Sequence, residues 1–315
     1  MNENKNPVLS VVVPAYNEGP ALAEAAGQFR LALEASDIAY ELIFVDDGSE
    51  DDTWTQIMGL AREDERVAGV KLSKNFGKEG AILAGLAHAR GKACALIDCD
   101  LQHPPEMLAQ MYHIWRAGGT DIVEGIKNSR GKEPILYTFF SNLFYFLIGR
   151  TGNVQLKNAS DFQLLDRRVV DIIINLPERQ RFFRALSSWV GFNRKQVRYD
   201  VKPRLSGKSK FTGIRSTQYA LNNIASFSSA PLQVVTITGV IFLLFFLGLG
   251  IHTFARWLTG TAVEGFTTVI LLLLIIGAML MISLGVIGFY VGKIYEELKG
   301  RPAYLVEDRV NVQGE

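Results

Sequence analysis

The chain has 315 residues, with 33 Lys plus Arg against 32 Asp plus Glu and a formal net charge of +1. That balance excludes the global positive field of a nucleic-acid binder, and the length allows one large domain or two small ones. Hydrophobic residues make up 48% of the chain, and their excess sits in the last third, which points to membrane segments rather than to a larger core. The polar start, Met1 to Asn6, lacks the apolar stretch of a signal peptide. Cys94 and Cys99 fall on one expected strand, pointing to opposite faces about 16 Å apart. They cannot bridge each other and read as buried thiols of a reducing compartment.

In chain order, Val8 to Val13 is an apolar, β-branched run and the first expected strand. Pro14-Ala15-Tyr16-Asn17-Glu18-Gly19 breaks it, and Pro20 to Ala35 reads as a helix. Tyr40 to Val45 is the second strand, ending in Asp46-Asp47-Gly48-Ser49; Asp51 is placed to cap a helix running through Leu60. Val67 to Leu72 is the third strand, and Ser73-Lys74-Asn75-Phe76-Gly77-Lys78 links it to a Gly/Ala-rich helix, Glu79 to Ala89. Ala93 to Ile97 is the fourth strand. A helix from Pro104 to Ala117 and a short strand from Asp121 to Glu124 follow. Strands alternating with helices imply a mainly parallel sheet with right-handed crossovers, and such sheets bind ligands outside the carboxyl ends of their strands. Glu18, Asp46, Asp47, Asp98 and Asp100 all fall at those ends.

The centre of this pattern is Asp98-Cys99-Asp100-Leu101-Gln102-His103-Pro104-Pro105-Glu106. Two carboxylates one residue apart at a strand end are costly to bury without a partner. A hard divalent cation holding a diphosphate is one such partner, since Mg²⁺ takes one or two protein carboxylates and fills its other positions with phosphates and water. Other nucleotide motifs are excluded. Strand one is not followed by Gly-x-Gly-x-x-Gly. Ser206-Gly207-Lys208-Ser209 has Lys202 where a P-loop needs its first glycine, and no apolar strand leads into it.

Beyond the sheet, Pro134 to Gly149 is aromatic and apolar nearly all round and too short to span a bilayer, so it reads as either a buried or an interfacial helix. Asn158 to Arg167 reads as a turn, a short strand and a helix start. Arg179 to Val190 is an expected helix, and Phe192 to Val201 a strand pair or extended segment. Arg194 to Arg215 holds eight basic residues against one acid, Asp200. Beside a membrane segment this reads equally as a solvated face or as a contact for anionic headgroups or phosphates. Ile214 to Ser229 is a semi-polar helix leading to the bilayer. Pro231 to Ala255 and Phe266 to Gly292 carry no charge and are long enough to span. Positive charge flanks the outer ends of the pair, placing both termini and the large domain in the cytoplasm. The expected division is a cytosolic α/β domain (1–212), a juxtamembrane amphipathic helix (213–230), two transmembrane helices (231–292) and a cytosolic tail (293–315).

A cytosolic, acid-rimmed domain joined by a basic collar to a bilayer hairpin suits transfer from a soluble nucleotide-activated donor to a membrane-held phosphate acceptor. Here the sequence resembles the family of membrane-anchored polyprenyl-phosphate glycosyltransferases, related to dolichol-phosphate mannose synthase, and within it the bacterial bactoprenol glucosyltransferases. The resemblance is carried by Val12-Val13-Pro14-Ala15-Tyr16-Asn17-Glu18, Val45-Asp46-Asp47-Gly48-Ser49, Leu72 to Lys78, Asp98 to Glu106, Ser160-Asp161-Phe162-Gln163-Leu164-Leu165-Asp166-Arg167, Arg204-Leu205-Ser206-Gly207-Lys208-Ser209-Lys210 and Leu284-Gly285-Val286-Ile287-Gly288, in family order. Cys99 replaces a commoner Ala, and His103 stands where an acid is common, so one charge near the site is lost.

The resemblance implies a GT-A type nucleotide-diphospho-sugar transferase domain with a C-terminal two-helix transmembrane hairpin in the bacterial inner membrane. It implies that Pro14, Tyr16, Glu18, Asp46, Asp47, Lys78 and Asp98 bind the nucleotide sugar. Asp98, Asp100 and Gln102 would hold Mg²⁺ or Mn²⁺, and Arg204, Lys208 and Lys210 would contact phosphates. Asp100 and Asp161 would be catalytic, Asp161 at the family's base position. The implied reaction moves glucose from UDP-glucose to undecaprenyl phosphate with inversion, for cell-envelope glycan modification, in a homo-oligomer expected to be a tetramer. Because a phosphate monoester arrives mostly ionised, with a second pKa of about 6, Asp161 is open to a second role, orienting the acceptor or stabilising an oxocarbenium-like sugar. The same reaction with N-acetylglucosamine or mannose, a non-catalytic membrane scaffold, and a processive synthase are the alternatives; two spans are few for the channel the last requires.

Overall fold

The computed structural model describes residues 7–128, 160–178, 182–201, 230–259 and 265–312. The expected helices at 134–149 and 214–229, and Arg204, Lys208 and Lys210, lie outside the described residues. The elements in order are β1 (Leu9–Ala15), α1 (Gly19–Glu34), β2 (Tyr40–Asp46), α2 (Thr53–Glu63), β3 (Val67–Leu72), α3 (Lys78–His88), β4 (Ala93–Leu96), α4 (Glu106–Arg116) and β5 (Ile122–Lys127). They continue with β6 (Gln163–Asp166), α5 (Arg167–Asn175), α6 (Phe183–Trp189), β7 (Arg194–Tyr199), α7 (Ala230–Leu258), α8 (Phe266–Leu298) and β8 (Val306–Val310).

Among the described residues the strands form one sheet in the order β7-β5-β6-β4-β1-β2-β3-β8. The β4-β1-β2-β3 block is parallel, as is β5-β7; β6 and β8 run antiparallel to their neighbours. Strands β1 and β2 are apolar on both faces because both faces are covered. Leu9, Val11, Val13, Leu42 and Phe44 meet α1, α2 and α4 through Leu22, Phe29, Ile57 and Leu108. Val12, Ile43 and Val45 meet α3, α5 and α6 through Ile82, Leu86, Val170 and Phe183. Cys94 and Cys99 are buried in these opposite layers, Cys99 beyond the end of β4 rather than on it. Burial pushes both thiols up to about 12, which keeps them inert. The segment expected as a strand pair near 192–201 is the single strand β7, and β5 runs on to Lys127 because it pairs with β7 along its whole length.

Two features position the site. The β4–β6 ladder pairs Ala93 with Asp166 and Leu96 with Gln163. Continued two residues beyond its end, the same antiparallel register sets Asp98 opposite Asp161. Helix α3 lies close on β1 and β2 because Gly85 has no side chain: a Cβ there would stand 2.2 Å from Val12 Cγ1 and 3.0 Å from Val45 Cγ2.

α7 and α8 contain stretches, Leu232–Arg256 and Leu272–Leu298, each of mean hydropathy 2.6 and long enough to cross a membrane. Their side chains face outward, with Leu243 66% and Met281 68% exposed. So continuous an exposed apolar surface needs lipid or protein around it. They form the two-helix hairpin. The tail after it is part of the sheet: β8 pairs with β3, Ser73 N–H donates to Leu305 O at 2.9 Å, and Asn311 Nδ2 donates to Ala61 O and Val67 O. This closes the β3 edge, which would otherwise present unpaired backbone groups. Gly85→Ala should overpack the α3–β1 contact, costing about 1–3 kcal/mol; a thermal unfolding midpoint several degrees below wild type checks this.

Candidate active site

The loops after β1 and β2 are laced together. Asn17 N–H donates to Ser49 Oγ (2.9 Å), Glu50 N–H to Asn17 Oδ1 (2.9 Å), and Glu18 N–H to Thr53 Oγ1 (3.0 Å). Asn17 takes φ +53°, a left-handed conformation that Asn tolerates. Tyr16 and Glu18 are left half-buried at the mouth of the strand ends. The N-cap position of α2 is Asp52 rather than the expected Asp51; Asp51 instead accepts from the backbone N–H of Thr53, at the start of α2, and of Gly19, at the start of α1, and so ties the two helix starts together.

Asp46 and Asp47 are buried. Asp47 spends both carboxylate oxygens on Phe76 N–H (2.7 Å) and Gly77 N–H (2.9 Å), so it organises the loop before α3. Burial pushes it up to about 6 against those two bonds. Asp46 Oδ1 accepts from Ser49 N–H (2.9 Å), while its buried Oδ2 has no donor.

The loop fixed by Asp47 ends at Gly77 (φ +87°) and delivers Lys78 as the first residue of α3. Lys78 Nζ stands 2.5 Å from Asp98 Oδ1 and 3.2 Å from Asp161 Oδ2. Arg184 of α6 clamps Asp161 with a fork, Nε to Oδ1 at 2.6 Å and Nη2 to Oδ2 at 2.7 Å. Burial alone would raise Asp161, yet Lys78 and Arg184 hold it at about 2. Asp98 likewise stays well below the ordinary carboxylate range, since Lys78 and His103 outweigh its burial. Asp98 and Asp161 hold Lys78 well above an ordinary lysine, outweighing the partial desolvation of its ammonium in the cleft.

The turn carrying Asp161 is braced from beneath. Ser160 N–H donates to buried Glu124 (3.1 Å), which also accepts from Arg194 and Gln196, and Gln163 Nε2 donates to Ser160 O (2.7 Å). His103, 7% exposed, stacks on Phe162 at 4.8 Å and meets Tyr199 edge-on at 5.3 Å. Its Nε2 lies 3.7 Å from Asp98 Oδ2. Asp100 Oδ1 accepts the Gln102 backbone N–H at 3.1 Å, and both side chains are half-buried.

Pro14, Lys78, Asp98, His103, Asp161 and Phe162 line one small cleft. Four expected site residues (Pro14, Lys78, Asp98, Asp161) therefore converge, drawn from β1, α3, the β4 end and the β6 start. Arg184, His103 and Glu79 were not foreseen in these positions. A lone arginine inside the apolar run Phe182 to Trp189 was the signal available for Arg184, because such a residue is seldom buried unpaired. Glu79 Oε2 accepts Phe183 N–H (2.9 Å), tying α3 to the start of α6.

A largely parallel sheet with acids at its carboxyl ends, closed by an antiparallel strand that brings a further acid beside them, is the architecture of GT-A glycosyltransferases. The profile of Glycosyl transferase family 2 matches residues 10–172. The chain is 40% identical over 302 residues to an uncharacterized glycosyltransferase of Synechocystis sp., covering 95% of each. It is 36% identical over 308 residues to the bactoprenol glucosyl transferase of Shigella phage SfX, covering 96% of this chain and 99% of that one. With a prophage bactoprenol glucosyl transferase homolog of Escherichia coli it shares 35% identity over 306 residues, covering 95% and 98%. The chain belongs to glycosyl transferase family 2.

Burial, then the Asp161 charge, pushes Glu79 up to about 7. A folded-state value above the unfolded 4.5 means the native chain binds the extra proton between about pH 4.5 and 7, so this group's ionisation lowers stability as pH rises through that window. Glu79→Gln should flatten that slope while keeping the acceptor for Phe183 N–H; unfolding midpoints at pH 5 and pH 8 measure it.

Proposed function

We propose that the chain transfers glucose from UDP-glucose to undecaprenyl phosphate at the cytoplasmic face of the membrane, with inversion at the anomeric carbon. The observation that carries this reading is the facing pair Asp98 and Asp161, held charged by Lys78 and Arg184 in a cleft at the carboxyl ends of the strands. The nearly full-length similarity to bactoprenol glucosyl transferases supports the acceptor and the sugar. The return of the tail to β3 supports a domain and C-terminus on one side of the hairpin. The basic residues flanking the spans support the cytoplasmic side.

For the donor, Pro14, Tyr16 and Glu18 frame the strand ends on which the uridine would lie. Asp46 Oδ2, buried and without a donor, suits a ring N–H such as that of uracil. The donor set suits Mg²⁺ or Mn²⁺: Asp98 and Asp100 supply hard oxygens, and no group of three or more His, Cys, Asp or Glu gathers into a closed cage among the described residues. A two-carboxylate site completed by phosphates is the pattern of such a cation. Asp98, Asp100 and Gln102 would hold it, and when bound it would neutralise charge on the leaving UDP. Arg204, Lys208 and Lys210 would meet the phosphates of donor and acceptor.

In the reaction a phosphate oxygen of the lipid forms the new bond to the anomeric carbon, while the bond to UDP breaks and its electron pair leaves with UDP. The acceptor needs no proton removed, and Asp161, held at about 2, is a weak proton acceptor. We therefore assign Asp161 to stabilising positive charge on the sugar in the transition state, not to base catalysis.

Full-length protein in nanodiscs with undecaprenyl phosphate, offered UDP-glucose, UDP-N-acetylglucosamine and GDP-mannose in turn, should make a lipid-linked product from UDP-glucose that is lost in chelator. No lipid-linked sugar from any donor overturns the reading, and a different preferred donor overturns the choice of glucose. Asp161→Asn should lower kcat by roughly 10²-fold or more with donor affinity changed less than about threefold; stopped-assay kinetics and calorimetry with UDP separate the two.

A further inference from the structure

We infer that Lys78 is an internal counter-cation of Asp98 that must release it before a metal and diphosphate are held there. The inference rests on the proposed reading of Asp98 as a metal ligand and adds to it a role for Lys78 that precedes catalysis.

The ladder register leaves two carboxylates facing each other in a cleft with few alternatives for neutralisation. Arg184 is committed to Asp161 as a two-point fork, a geometry that does not slide. His103 reaches Asp98 only at 3.7 Å. The short contact on Asp98 is the ammonium, 2.5 Å from Oδ1. A metal ligated by that oxygen would sit about 2.1 Å away and would carry the same sign of charge. A carboxylate oxygen has two lone pairs, but a metal on Oδ1 would lie within about 4 Å of the ammonium and repel it, so the two compete for Asp98.

Lys78 is built to leave. Its backbone is fixed by the Asp47-anchored loop and Gly77, but the charge rides on a flexible four-carbon stem, and the side chain is 40% exposed into the cleft. Its second partner, Asp161 Oδ2 at 3.2 Å, keeps it from being stranded. An incoming diphosphate offers a further anion within the same cleft. Release of Asp98 is therefore cheaper when the diphosphate is present, so metal and nucleotide bind cooperatively, each raising the affinity of the other by the same factor. Without the diphosphate the metal is held weakly, and the donor arrives with its cation.

The test uses full-length protein in detergent, with Mn²⁺ binding followed by the paramagnetic resonance of the free ion, with and without UDP. Wild type should bind Mn²⁺ weakly alone and at least about tenfold more tightly with UDP. Lys78→Met should bind Mn²⁺ alone about tenfold more tightly than wild type, with the UDP effect reduced to about threefold or less; Lys78→Arg, which retains the charge without the freely moving ammonium, should bind Mn²⁺ alone no more tightly than wild type. Wild type binding Mn²⁺ with UDP, but Lys78→Met binding the metal alone no more tightly, overturns this inference and leaves the proposed function standing. Wild type binding no Mn²⁺ even with UDP overturns the metal reading and this inference together. A thermal melt verifies that each variant is folded, and Lys78→Gln replaces the methionine variant if that one is not.

Discussion

Two carboxylates meeting across the end of an antiparallel ladder are the constraint around which this molecule is arranged. Asp98 and Asp161 belong to β-segments that pair in the interior, and the pairing carries their side chains into one cleft. Unpaired, two such charges in a low-dielectric setting could not both remain ionised. The neighbouring elements answer that problem. α3 brings Lys78 between the two acids, and α6 brings Arg184 to the far side of one of them. Two acids are thus balanced by two cations, and the arrangement responds strongly to a ligand that adds charges of either sign.

The supports of those side chains are themselves acids, Asp47 and Glu124 buried and Glu79 half-buried, and each accepts at least one backbone N–H. Asp47 anchors the loop that launches Lys78, Glu124 anchors the turn that carries Asp161, and Glu79 bonds the backbone beside Arg184. Buried acids bonded to N–H groups fix orientation more than they add stability, because desolvation offsets much of the bond. Close contact of α3 with β1 at Gly85 completes the positioning, since any lift of that helix moves Lys78.

The tail gives the membrane hairpin a second attachment to the catalytic sheet. Ala303 and Tyr304 lie close to Gly80 of α3, the helix that carries Lys78, a few residues after the chain leaves α8, and Leu305 O accepts from Ser73 N–H in the loop before that helix. A family 2 domain working on a lipid must hold its cleft at a defined distance from the bilayer, and attachment through both ends of a hairpin restricts that distance more than a single linker would.

Much of this was legible in the residues. The β-branched runs, the acids punctuating the strand ends, and the two uncharged stretches specified a mainly parallel sheet, the site's general position and the hairpin, because hydrophobic periodicity and span length are local properties. Asp98 was identified from its place at a strand end, and Lys78 and Asp161 through motif resemblance, but their mutual contact was not. Nor was the diversion of Asp47 to a loop, the role of Arg184, or the return of residues 306–310 to the β3 edge. By itself the sequence determined the alternating strands and helices up to residue 124 and the two spans, since each follows from side chains near one another in the chain. Only the tertiary structure decided which charges neutralise which, because an ion pair between residues 78, 98, 161 and 184 depends on strand register and helix packing across the whole domain.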